Sequence, residues 1–206
     1  MKYMLLLSSI LLISCATNKD HSKQSGPLMN GQTPNLETVI KNVEDKNITL
    51  MSIVEKKPTV LVFYRGGWCP YCNLQLASLR KITSDINKLG YQLVAVSTDR
   101  VEKFKESIAK HQLDYQLISD SNLDLANNFG LSFKVDQETL KKYKKYGIDL
   151  EKASGKKHHS LPYPAVYVLD TKGLIHFNYV NPNYKVRLNE KILLSALKEL
   201  KLAEKL

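Results

Sequence analysis

The chain has three cysteines, one tryptophan and five histidines in 206 residues. Its longest apolar stretch, residues 4–13, is too short to span a bilayer as a mature helix. No phosphate-binding loop, dinucleotide fingerprint or Ser/His/Asp set is present, so no organic cofactor is implied. Zinc is not expected either. A Cys-x-x-Cys needs two more ligands, and His158 and His159 fall in a Lys-rich stretch without ligand spacing. Together with His111 and His176 they read as exposed or loop-borne residues rather than catalytic ones. There is no internal repeat, and about 175 residues beyond the N-terminal tract suit one α/β domain and not two. The net charge of +10 comes mostly from dispersed lysines, which reads as a solvated surface, with no nucleic-acid partner expected.

Against these absences stands Trp68-Cys69-Pro70-Tyr71-Cys72, directly after the apolar run 59–64. The run has β character, and an amphipathic helix is expected from Cys69 to about Leu89. A cysteine at a helix N-terminus faces unpaired N–H groups and the positive end of the dipole, which favour thiolate over thiol. A second cysteine one turn on lies on the same face and can attack an adduct formed at the first. Cys69 therefore reads as the attacking thiol and Cys72 as the resolving one. A purely structural disulfide is the weaker reading, because closing so short a loop adds little by chain entropy.

Residues 1–14 read as a signal peptide: Lys2 supplies a positive start, then comes the apolar stretch. Leu12-Ile13-Ser14-Cys15 resembles the bacterial lipoprotein lipobox. That resemblance implies cleavage before Cys15, its lipidation, and a membrane-anchored, periplasm-facing place in the cell envelope. Ala16 after the cysteine points to the outer membrane where there are two membranes. Residues 15–30 are polar and read as a flexible tether, leaving 31–206 as the domain. Lipidation of Cys15 leaves one cysteine pair, in a compartment where disulfides persist unless a dedicated reductant acts.

Along the domain, short strands are expected at 35–40 and 48–51. The helix after the Cys-x-x-Cys should bury Leu74, Leu76, Leu79, Ile82 and Ile86, and Gly90 should stop it. Residues 92–97 read as a buried strand, and Asp99 as the cap of a helix to about His111. A strand at 115–119, a short helix at 121–128 and a Lys-rich helix at 135–146 follow. Residues 147–160 read as polar connection, with 135–160 as a solvated insertion or a lid. A hairpin of 164–170 and 174–179, then a helix from Asn189 burying Ile192, Leu193, Leu197 and Leu200, complete the chain. The pattern describes an α/β fold, a central mixed β-sheet flanked by helices.

The segment from Val60 to Cys72 (Val-Leu-Val-Phe-Tyr-Arg-Gly-Gly-Trp-Cys-Pro-Tyr-Cys) resembles the active-site segment of the thioredoxin-like superfamily. In particular it is similar to peroxiredoxin-like proteins of the alkyl hydroperoxide reductase and thiol-specific antioxidant family. Gly31-Gln32-Thr33-Pro34, Ser119-Asp120-Ser121, Asn128-Phe129-Gly130 and Tyr163-Pro164 extend the likeness. The resemblance implies a thioredoxin-like fold, with Trp68, Pro70, Tyr71, Tyr163 and Pro164 bordering the substrate. Two departures matter. The family's threonine three residues before the reactive cysteine is Gly66 here, and its arginine before the late strand is matched by Pro164. Arg65 is the candidate stand-in for that arginine. The Cys-x-x-Cys paired with a late proline is instead thioredoxin-like, which implies a cis Pro164 packed on the disulfide, Pro162 being the other candidate. The leading expectation is therefore thiol–disulfide exchange on a protein disulfide. Peroxide reduction is the second, with an envelope thiol reductant in either case, and a non-catalytic binding module is the third.

Overall fold

The structure, a computed structural model, describes residues 26–205. The expected signal peptide and the expected lipidation site, Cys15, lie outside the described residues. A seven-stranded sheet forms the centre, made of β1 (Val39–Lys41), β2 (Asn47–Thr49), β3 (Thr59–Phe63), β4 (Gln92–Ser97), β5 (Gln116–Ser119), β8 (Ala165–Leu169) and β9 (Ile175–Val180). Their spatial order is β2-β1-β5-β4-β3-β8-β9. Strands β3, β4 and β5 run parallel, and the remaining pairings are antiparallel. Two further strands, β6 (Ser132–Lys134) and β7 (Ser160–Pro162), pair apart from the main sheet.

Period-two alternation divides the core. Val60, Val62 and Tyr64 face one side of the sheet, while Leu61 and Phe63 face the other. The first side is covered by α2 (Pro70–Lys88), α3 (Val101–His111) and α7 (Glu190–Leu200), through Leu76, Leu79 and Ile86, Phe104, and Leu193 and Leu197. The second is covered by α1 (Met51–Val54) and α4 (Asp124–Asn128), with Phe63, Phe129 and Tyr167 in mutual contact at centroid distances of 4.8–6.2 Å. All five residues of β3 are buried, as a strand covered on both faces requires.

Several expectations change. Leu74 is 70% exposed and Ile192 57% exposed. Helical rotation of about 100° per residue puts Leu74 opposite the buried Cys72, Leu76 and Leu79. Asp99 does not cap α3; Arg100 holds that position without a side-chain bond, because the Asp99 carboxylate is engaged elsewhere. Helix α4 starts at Asp124, and the Asp120 carboxylate accepts from the Leu125 and Ala126 N–H groups at 3.0 and 2.8 Å. The stretch 147–160 contains α6 (Leu150–Ser154) and leads into β7. Leu28, placed in the expected tether, is already part of the fold: it is buried and donates from its N–H to the Phe129 carbonyl at 3.1 Å.

Candidate active site

Strand β3 delivers the chain to Tyr64 and Arg65, a turn at Gly66-Gly67 follows, and α2 begins with Pro70 in its first turn. Cys69 is the residue capping α2, in an extended conformation, at the end where a helix leaves N–H groups open. Proline at this position fits, because its missing N–H would have had no partner there. Cys72 sits one turn on, and both cysteines are free thiols with no exposed surface.

Each sulfur has its own guanidinium. Arg65, only 4% exposed, brings Nη2 to 3.6 Å from Cys69 Sγ. Its planar group lies over the rings of Tyr184 at 3.9 Å, Trp68 at 5.1 Å and Tyr143 at 5.8 Å, contacts that fix its direction. Arg187 donates from Nη2 to Cys72 Sγ at 3.4 Å. The Cys69 thiol is pulled well below its ordinary range by the hydrogen bond from the Cys72 thiol, which outweighs burial, and then by the Arg65 charge and the Cys72 N–H. Cys72 moves the other way, raised by burial first and then by its bond to Cys69. The pair therefore favours a Cys69 thiolate that accepts a hydrogen bond from the Cys72 thiol.

The turn before Cys69 leaves no room for a side chain at residue 66. Gly66 has φ +146°, and a Cβ there would lie 2.3 Å from Trp68 Nε1 and 2.7 Å from Asp99 Oδ1. Asp99 Oδ2 accepts from the Gly67 N–H at 2.6 Å, and Asn73 Nδ2 donates to the Gly67 carbonyl at 2.9 Å. Burial raises the Asp99 carboxyl to about 7, with the Gly67 N–H and Lys103 opposing. Trp68 closes one side of the turn and packs on Tyr143 of α5 (Gln137–Lys145) at 5.5 Å. The segment 135–160 is thus a wall of the site. Together with α3 it bounds a cleft of about 310 Å³ that reaches Gly67, Trp68 and Asp99.

The remaining expected site residues fall differently. Tyr71 is partly exposed and meets Tyr184 edge-on at 5.7 Å. Tyr163 is not at the cysteines; it stacks on Phe133 at 4.5 Å and packs with the other face of the sheet. Neither Pro164 nor Pro162 follows a cis bond: all the described peptide bonds are trans. The physical reason is the extended path into β8, where the Tyr163 N–H bonds Leu131 and the Pro164 carbonyl accepts from Asn181, so no tight turn forms. His158, His159 and His176 are engaged by Ser121, Glu151 and Asp170. Among the described residues no group of three or more His, Cys, Asp or Glu side chains could hold a metal.

Arg187, Tyr184 and Asp99 did not emerge as site residues from the sequence. One signal was available: of 30 basic residues only four are arginine, and two of those four contact the cysteines. Arginine in a lysine-rich chain marks places where planar, fixed donors are used.

Residues 30–178 match the AhpC/TSA family. Chloroplastic peroxiredoxin Q of Triticum aestivum is 27% identical over 156 residues, covering 76% of this chain and 61% of that protein. Peroxiredoxin Bcp of Escherichia coli is 29% identical over 72 residues, 35% of this chain and 46% of its own length. The matched lengths thus span well short of the whole of these relatives. Among solved structures, peroxidoxin BcpB of Mycobacterium tuberculosis superposes with a TM-score of 0.66 at 18% identity, covering 84% of this chain and 98% of that one. Reduced Prx3 of Vibrio vulnificus in complex with hydrogen peroxide gives 0.67 at 14% identity, covering 82% and 99%. The fold is thus the thioredoxin-like fold of the peroxiredoxins, and the chain belongs to the AhpC/TSA family.

Proposed function

We propose that this chain is a peroxiredoxin-type thiol peroxidase, with Cys69 as the peroxide-attacking residue and Cys72 as the resolving one. This reverses the order of the two reactions expected from the sequence. The observation that carries it is the burial of Cys69 beside a fixed cation: its sulfur has no exposed surface, and the Arg65 guanidinium lies 3.6 Å away. A small peroxide suits such a sulfur better than a protein disulfide, whose attack needs a thiolate at the surface. Pro164 is also trans, unlike the cis proline that the disulfide-exchange reading implied. The names of the curated relatives, peroxiredoxin Q and peroxiredoxin Bcp, support the same reading.

The Cys69 thiolate attacks the outer peroxide oxygen, the S–O bond forms as O–O breaks, and the alkoxide or hydroxide leaves. Arg65 takes the place of the family's arginine, balancing the thiolate and then the charge that grows on the departing oxygen. That oxygen takes up a proton from solvent, giving alcohol or water. Cys72 next condenses with the Cys69 sulfenic acid, releasing water and leaving a disulfide. Re-reduction by an external thiol then requires the covering residues to part, and the Cys69 sulfur, now neutral, no longer holds Arg65 by charge. The lipobox-like residues Leu12-Ile13-Ser14-Cys15 support a lipid-anchored enzyme of the cell envelope. Palmitate labelling that persists in Cys15→Ser would refute that placement.

The deciding experiment mixes the reduced full chain rapidly with hydrogen peroxide and with an alkyl hydroperoxide, following the fluorescence of Trp68. Oxidation orders of magnitude faster than a free thiol, and absent in Cys69→Ser, is the expected result. Oxidation no faster than a free thiol, with rapid reduction of a protein disulfide, would return the chain to disulfide exchange.

A further inference from the structure

Residues 181–189 connect β9 to α7 and cross the first turn of α2 as a strap. Asn181 Oδ1 accepts from the Asn183 N–H at 2.9 Å, and the Val186 N–H donates to the Asn183 carbonyl at 2.9 Å, so the strap is folded on itself. It presents two side chains to the site. Tyr184 lies beneath the Arg65 guanidinium at 3.9 Å, and Arg187 Nη2 reaches Cys72 Sγ at 3.4 Å. Arg187 Nε and Nη1 are buried with no partner among the described residues. Burying unmatched donors is costly. A side chain held that way, whose hydrogen bond among the described residues is to a sulfur, is placed for that sulfur's chemistry rather than for packing.

We propose that Arg187 is a further catalytic residue, holding Cys72 Sγ as the thiolate that attacks the oxidised Cys69. The assignment rests on the peroxidase reading above. In the dithiol state Cys72 keeps its proton, because burial, the bond to Cys69 and the charge on Cys69 all favour the thiol. Oxidation of Cys69 to a sulfenic acid removes that charge. Burial still opposes ionisation of Cys72, and what opposes burial is the Arg187 charge with the Arg65 backbone N–H. The first oxidation therefore hands the role of nucleophile to Cys72. Its thiolate attacks Cys69 Sγ, the S–S bond forms as S–O breaks, and the departing hydroxide takes up the proton released by Cys72 to give water. Arg65 and Arg187 divide the two steps between them, one cation for each sulfur.

The test uses the full chain with Cys15→Ser, so that only Cys69 and Cys72 react. Rapid mixing with hydrogen peroxide should give two Trp68 fluorescence phases, one proportional to peroxide and one independent of it. In Arg187→Gln the peroxide-independent phase should slow about tenfold or more, by a clearly larger factor than the other phase. A dimedone-trapped Cys69 sulfenic acid should accumulate in mass spectra of that variant. Arg187→Lys, which keeps the charge, should fall between the two. Equal slowing of both phases, or no slowing of the second, overturns the role for Arg187. Absence of any peroxide-proportional phase in the chain with Arg187 intact overturns the peroxidase reading and this assignment with it, and is read on that trace alone.

Discussion

The two faces of the sheet are packed from the same kinds of residue, valine, leucine, isoleucine and buried aromatics, yet they treat polar atoms in opposite ways. On the face under α1 and α4, the aromatic trio Phe63, Phe129 and Tyr167 fills the core, and the Tyr167 hydroxyl donates to the Leu28 carbonyl. On the cysteine side, Tyr64 Oη, Arg65 Nε, Trp68 Nε1, Asn73 Oδ1, Gln75 Oε1, Asp99 Oδ1 and two Arg187 nitrogens are buried without a partner. No atom of that kind lies on the other face among the described residues. Unmatched buried groups are costly, so their concentration around two thiols marks where the fold gives up stability for chemistry. A closed core holds a shape, whereas a reactive one keeps donors free for charges that appear only during reaction.

The contrast is broken most severely at the sulfur itself. Cys69→Ser should lower the rate of peroxide consumption at least about a thousandfold while leaving denaturant unfolding close to that of the parent. Phe129→Ala, on the closed face, should do the reverse. Its ring lies 4.8 Å from Tyr167 and 5.1 Å from Phe63, and its loss should cost about 3–5 kcal/mol in urea unfolding with the rate of the folded fraction preserved. Arg65→Gln should slow peroxide attack about a hundredfold. It should also raise the pH midpoint of Cys69 alkylation, which in the parent lies below the ordinary thiol value of about 8.5.

Smaller effects sharpen the picture. Burial raises both Asp99 and Asp120 to about 7, so the folded state binds protons that the unfolded state has released. Stability should therefore be fully present below the ordinary carboxylate value of about 3.9 and decline as pH rises towards 7. Asp99→Asn keeps an acceptor for the Gly67 N–H and should flatten that decline in part, as read from unfolding midpoints across pH. Least of all, Leu74→Ala should change stability by less than about 0.5 kcal/mol, whereas Leu76→Ala, two residues on and buried, should cost about 2–5 kcal/mol.

Legibility in the sequence followed the range of the interactions. Strand β4, the extent of α2 and the hairpin across Thr171-Lys172-Gly173 were readable because period, proline and glycine act locally. The Cys69–Cys72 pair was readable for the same reason. Arg187 was not, since its partner Cys72 lies 115 residues earlier and no local pattern announces such a contact. Strand β7 exists because β6 pairs with it, and the Lys-rich residues before it hide the short helix α6. Asp99 misled for an instructive reason: an aspartate before a helix usually caps it, but here the Gly67 N–H competed and won. Leu74 and Ile192 failed where an apolar residue was assumed to face inward, although apolar side chains also cover much of any protein surface.

The turn at Gly66 makes this site a historical commitment. With the indole nitrogen and the Asp99 carboxylate occupying the space a Cβ would need, a threonine there forces both side chains to shift and takes a strained backbone angle. Trp68 would have to shrink and Asp99 to move first, and each intermediate would lose part of what now holds Arg65 and the Gly67 turn. Either arginine can be retuned by small steps, but a side chain at residue 66 needs Trp68 and Asp99 to give way together.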